Sequence, residues 1–152
     1  MSERTLKTGC ADQLFTVQSL IPRARIGREF LLTCAQLGAA HIKRRIGQIN
    51  FIIVGDRTMA RLHRQFIGAR GTTDVITFDL TDRRGHVEGD IVICLDQARR
   101  QAKDYHVPLS EEIARLAVHG VLHLAGYSDA TDRGRATMRR LEDHSLNAGK
   151  RR

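Results

Sequence analysis

The sequence predicts an α+β fold, a single mixed four-stranded sheet packed with about five helices. Three observations predict it. Four short apolar runs rich in Ile, Val and Phe alternate with longer segments of helical periodicity. One of those segments, after Ser110, is apolar around most of its circumference, the mark of a helix buried on all sides. The chain has 152 residues and no internal repeat, linker or low-complexity stretch, so one domain over 1–152 can bury a substantial core.

Taken in order, residues 1–12 are polar and are expected to be flexible, as are 148–152. Leu14–Leu20 alternates Phe15 and Val17 with Thr16 and Gln18, a strand pattern. Beyond Pro22, Arg23 to about Ala40 reads as a helix with Ile26, Phe30, Cys34 and Leu37 inward. Gln48–Val54 is a compact apolar strand. Asp56 then suits the cap of a short helix with Met59, Leu62 and Phe66 on its inner face. Thr73–Phe78 and Gly89–Cys94 are the third and fourth strands, separated by a polar stretch through Arg83-Arg84-Gly85. A polar helix follows from Asp96 to about Tyr105, closed before Pro108. Ser110 is a good N-cap for the next helix, with Glu111 and Glu112 where the dipole favours negative charge, and that helix runs to about Ala125. The last helix, about Asp132–Leu146, places Met138 and Leu141 inward and Arg139 and Arg140 outward.

Charge narrows the partners. Lys and Arg number 25 against 17 acids, a formal net charge of +8 and a pI near 10.2, which fits a polyanion such as nucleic acid. With no Trp, two Tyr and five Phe, base stacking is poorly supplied, and binding should rest on phosphate contacts. Cys10, Cys34 and Cys94 are odd in number and lack metal or redox spacing, so a reducing cytoplasm is the expected setting. No signal pattern opens the chain and no apolar run could span a bilayer, so no membrane partner is expected.

The chemistry is concentrated in His119–Asp129, H-G-V-L-H-L-A-G-Y-S-D. Two histidines at this spacing stack on one helix face, within reach of one ion. Alone, such pairs are often ordinary surface or core residues. Gly126 adds a residue able to end the helix in a left-handed turn. Asp129 then stands three residues on, a hard oxygen donor that could complete a three-ligand site with His119 and His123. The spacing is that of the extended zinc-protease signature, which makes this a zincin-like helix, but Gly120 occupies the place of the general-base glutamate. A metal cage without a peptidase base points to metal-assisted hydrolysis of something other than a peptide.

With T-D-V-I-T-F at Thr73–Phe78, G-D-I-V-I-C at Gly89–Cys94, H-G-V-L-H-L-A-G-Y at His119–Tyr127, and Met138 and Glu142 downstream, the chain resembles the YbeY family of bacterial single-strand-specific endoribonucleases, the rRNA maturation factors. These motifs span roughly residues 48 to 142; the N-terminal third matches only in pattern. The resemblance implies zinc at one end of a cleft and action on rRNA, including maturation of the small-subunit 3′ end. Three positions depart from the family pattern. Asp129 falls where the family usually has a third histidine ligand. Ile67 occupies the place of a common arginine associated with RNA handling, and Arg64 or Arg70 is then the nearest candidate for that charge. Thr72 replaces a proline.

Together these readings predict a zinc-dependent, single-strand-specific endoribonuclease of rRNA processing and ribosome quality control. It would take one Zn2+ per chain on His119, His123 and Asp129, which are both the metal ligands and the catalytic residues. Its partners would be single-stranded rRNA and the ribosome, with DNA not expected. The rivals are a zinc hydrolase of a non-RNA substrate, disfavoured by Gly120 and the basic charge, and a metal-stabilised ribosome- or RNA-binding protein that does not cleave.

Overall fold

The computed structural model describes residues 14–152, so the expected flexible segment 1–12, Cys10 included, lies outside the described residues. Strands β1 (Phe15–Ser19), β2 (Ile46–Val54), β3 (Val75–Asp79) and β4 (Val87–Cys94) form one sheet in the order β1-β2-β4-β3. β1 and β4 each run parallel to β2, and β3 closes the sheet antiparallel to β4, with Val75 opposite Ile93 and Asp79 opposite Gly89. Five α-helices complete the fold: α1 (Arg28–Ala39), α2 (Asp56–Leu62), α3 (Leu95–Tyr105), α4 (Leu109–Leu124) and α5 (Asp132–Lys150). The expected α+β architecture is the observed one. None of the described helices is long and apolar enough to cross a membrane.

The core explains why α4 is apolar all round. On one side Ile113, Leu116, Ala117, Val121 and Leu124 meet the sheet residues Phe51, Ile91 and Ile93 together with Leu31 and Ala35 of α1. On the other, Ala114, Val118 and Leu122 pack with Cys34 of α1 and with Met138 and Leu146 of α5. A third cluster on the opposite sheet face, Val54, Met59, Ile76, Val92 and Cys94, seats α2. Gly120 lets α4 approach the sheet closely: a Cβ there would stand 2.6 Å from Ile91 Cγ2. Cys34 and Cys94 are both buried free thiols, and desolvation pushes Cys34 up to about 11.

Several boundaries differ from expectation, each for a visible reason. Helix α1 begins at Arg28 rather than Arg23 because Gly27 stands in the left-handed region, φ 67°, which leaves buried Ile26 ahead of the helix. Helix α4 is capped by extended Pro108, whose carbonyl accepts from the Glu111 and Glu112 amides, so Ser110 lies inside the first turn instead of capping it. Asp56 is likewise the first residue of α2, after Gly55, and not its cap. Its carboxylate instead takes the fork of Arg100, at 3.0 and 2.7 Å, which holds its pKa down to about 2. α2 runs on through a π-helical turn, His63–Ile67, leaving Phe66 largely exposed, its ring edge-on to Phe78 at 5.1 Å. Helix α5 runs past its expected end near Leu146 to Lys150, with Gly149 buried against α1 and Lys150 Nζ donating to Glu111 Oε1 at 2.9 Å.

Candidate metal centre

Histidines 119 and 123 project from the last two turns of α4 with ring centroids 4.5 Å apart and ring planes at 79°. Both side chains are about a quarter exposed, at 24% and 27%, so each ring is gripped by packing while its outer edge meets the cleft. Gly126, at φ 100°, turns the chain out of the helix as its position predicted. The turn brings Asp129 back over the rings: its Oδ2 lies 3.3 Å from His123 Nε2 and 3.6 Å from His119 Nε2. A helix-capping role for Asp129 is ruled out, because Thr131 caps α5, its Oγ1 accepting from the Gly134 amide.

One donor atom from each of the three residues lies within 4.8 Å of the others, a set able to hold a metal ion. The fit to zinc can be tested on distances. Bonds of about 2.0–2.1 Å in tetrahedral geometry put ligand atoms roughly 3.3 Å apart, and the two contacts to Asp129, at 3.3 and 3.6 Å, match that edge.

Behind His119 stands a support that no local motif reveals. Its Nδ1 lies 2.6 Å from Oε1 of Glu142, a buried residue of α5. An ionised carboxylate only accepts, so Nδ1–H donates, and the Nε2 lone pair is left facing Asp129. Arg115 lies beside Glu142 in an ion pair without a hydrogen bond, its buried Nη1 3.5 Å from Oε2, and its Nη2 reaches Asp143 Oδ1 at 2.8 Å. Burial acts to lower the pKa of His119, but the Glu142 hydrogen bond and charge, aided by Asp129 and Asp74, outweigh it and leave the pKa raised. Two helical turns back from His119, buried Glu112 has its carboxyl pKa pushed up by desolvation.

Two cavities meet at His119 and Asp129. The first, about 350 Å³, is a cleft between α4 and edge strand β3, lined by Thr73, Asp74, Val75, Ile76 and Thr77 together with His63 and Ile67. The second, about 540 Å³, lies on the α5 side and adds Arg135, Met138, Arg139 and Glu142 to His119 and Asp129. Neither candidate arginine lines the first cleft: Arg64 sits in a separate surface groove with Arg57 and Arg61, and Arg70 is exposed on the loop beyond. Ile67 does line it, and among the described residues no Lys or Arg lines the cleft.

Comparisons with known proteins agree with this architecture. A family model described as Endoribonuclease YbeY matches residues 23–150. The endoribonuclease YbeY of Cytophaga hutchinsonii is 37% identical over 103 residues, 68% of this chain and 72% of that protein. That of Chlorobium phaeovibrioides is 32% identical over 131 residues, 86% of this chain and 84% of that one. The solution structure of a Thermotoga maritima protein superimposes with a TM-score of 0.63 at 21% identity, covering 89% and 88% of the two chains, a likeness of fold.

Proposed function

The chain belongs to the YbeY endoribonuclease family, and from that membership we propose that it cuts single-stranded rRNA during ribosome maturation, small-subunit 3′-end processing included, with one zinc ion held by His119, His123 and Asp129. The observation that carries the reading is the convergence of three donor atoms from α4 and the following turn at the end of the β3 cleft. Zinc, when bound, supplies Lewis-acid charge at a phosphoryl oxygen and activates an attacking hydroxyl. The chain's own residues set the stage. Glu142 fixes His119 in one tautomer and one orientation. Thr73 and Thr77 offer hydroxyls along the cleft wall, and Ile67 an apolar surface for a base or sugar. A cleft of about 350 Å³ takes a single unpaired strand more readily than a duplex.

The general basic character serves the RNA backbone. A groove beside the Gly126 turn is lined by His41, Lys43 and Arg44, cations for phosphates further along the strand, outside the β3 cleft. In this reading the chain acts as one domain, with His119, His123 and Glu142 borne on the packed helices and Asp129 on the turn beyond α4.

Incubation of zinc-loaded protein with single-stranded RNA, beside a His123→Ala control, tests the proposal. Cleavage by the native chain and none by the variant is the expected result; equal cleavage by both would refute it. A second reading is kept by the absence of Lys and Arg from the cleft walls among the described residues. In it the chain binds ribosomal RNA on a metal-stabilised fold without cutting. Salt-sensitive binding with no cleavage at any zinc level would favour that reading.

A further inference from the structure

The two cavities that meet at His119 and Asp129 differ in charge. Among the described residues, the walls of the β3 cleft carry two carboxylates, Asp74 and Asp129, and no Lys or Arg. An RNA strand laid there finds no side-chain guanidinium or ammonium for the phosphates next to the cut. The cavity on the other side of His119 offers two guanidiniums, Arg135 and Arg139, four residues apart on one face of α5. They are not equivalent. Arg135 is committed: Nη1 donates to the Asp129 carbonyl at 2.9 Å and Nη2 pairs with Asp132. Among the described residues Arg139 has neither an ion-pair nor a hydrogen-bond partner, and it is exposed. Glu142, the acid a turn away on the same helix, already has one oxygen on His119 and the other beside Arg115.

From this we propose that Arg139 is a phosphate-binding residue, holding an RNA phosphate next to the scissile one in the cavity between the Asp129 turn and α5. The strand then crosses His119 from the β3 cleft to the α5 side rather than lying wholly along β3. Guanidinium suits the task because its planar fork matches two phosphate oxygens at once. The inference rests on the RNA-cleaving reading above and adds a direction to the substrate path.

The test measures binding of a single-stranded RNA oligonucleotide in EDTA, which prevents cleavage, by the full chain and by Arg139→Gln, Arg139→Lys and Arg57→Gln. The last removes the same charge from the separate groove on α2. Arg139→Gln should weaken binding roughly fivefold to tenfold. It should also reduce the steepness of log K against log salt by about 0.7, the share of one phosphate contact on a single strand. Arg139→Lys should keep the salt slope while losing part of the affinity. On zinc-loaded protein, Arg139→Gln should raise KM with kcat within about twofold, as loss of uniform binding requires. Affinity and slope for Arg139→Gln equal to those of Arg57→Gln would overturn the inference and leave the functional reading intact. A native chain that neither binds nor cuts single-stranded RNA would overturn the functional reading itself.

Discussion

His119 and Asp129 face each other across 3.6 Å, but the structure holds them in different ways. His119 is one turn inside α4, with the sheet on one side of the helix and α5 on the other. Its far nitrogen is held by buried Glu142, with the Arg115 guanidinium paired loosely beside that carboxylate. Asp129 hangs from a turn between helices, its side chain 48% exposed. The hold on its segment is the Arg135 guanidinium on its carbonyl, with Thr131 capping the helix beyond. One side of the site is preorganised by the core and the other by a few surface contacts. The difference separates two kinds of mutational cost: changes on the helical side should damage metal affinity and stability together, while changes on the loop side should damage affinity alone.

The largest effect sharpens that comparison at its centre. His119→Ala or His123→Ala removes one of the three proposed ligands, and metal content measured by elemental analysis should fall from near one equivalent per chain to near none. Retained stoichiometric zinc in either variant would refute the site. Glu142→Ala comes next. It strips the orienting acceptor from His119 and leaves Arg115 without one of its two carboxylates, so zinc affinity should drop roughly 10–100-fold. Thermal or denaturant unfolding should show about 2–3 kcal/mol lost, less than for a fully buried pair because Arg115 keeps Asp143 and a quarter of its exposure. Unchanged affinity in Glu142→Ala would mean that packing alone orients His119.

Asp129 should show the other signature. Asp129→Ala and Asp129→Asn should lower zinc affinity by a similar 10–100-fold in competition titrations, with stability of the metal-free protein within about 0.5 kcal/mol of native, as befits an exposed residue that caps nothing. Asp129→His should retain metal, since imidazole can occupy the same turn if the Gly126 geometry holds. A stability loss in metal-free Asp129→Ala as large as that of Glu142→Ala would erase the distinction between the two sides.

This division also marks what could be read in advance. The three converging donors lie within eleven consecutive residues, and local rules suffice there: helical stacking of His119 and His123, a glycine to reverse the chain, and a carboxylate just past the reversal. The four strands and five helices were legible because apolar periodicity is a local property, and the failures fell at ends. The Gly27 conformation and the Pro108 cap moved two helix starts, and packing of α5 on α1 carried the last helix past its expected end. Glu142 was visible as a matching position but not as a partner of His119. It lies 23 residues away, and contact requires α5 to fold back on α4. One signal did exist: an acid on the apolar stripe formed by Met138 and Leu146 must be paired if the stripe is buried. Arg139 faces outward as its pattern indicated, but that this outward face overlooks the histidines follows only from the tertiary arrangement. For Arg64 the chain offered proximity in sequence, and the π-helical turn His63–Ile67 gives His63 and Ile67, not Arg64, to the cleft wall.

The smallest expected effect probes how weakly the loop side is held. Arg135 joins the Asp129 carbonyl to α5 through one hydrogen bond of 2.9 Å and also pairs with fully exposed Asp132. Exposed pairs contribute only about 0–1 kcal/mol, because water and salt screen the charges and both long side chains lose rotamer freedom. A hydrogen bond from a charged donor to a carbonyl adds something, yet here the guanidinium is half exposed and can exchange the carbonyl for water at little cost. Thr131 and Gly126 still define the turn when Arg135 is removed, the first by capping α5 and the second by its left-handed backbone. Arg135→Ala should therefore lower zinc affinity no more than about threefold and leave the unfolding midpoint within about 1 kcal/mol equivalent of native. Zinc competition at low and high salt checks the cause, since a screened contact should lose what influence it has as salt rises. A tenfold or greater loss of zinc in Arg135→Ala, insensitive to salt, would mean that this arginine sets the position of Asp129. The loop side would then be preorganised like the helical one.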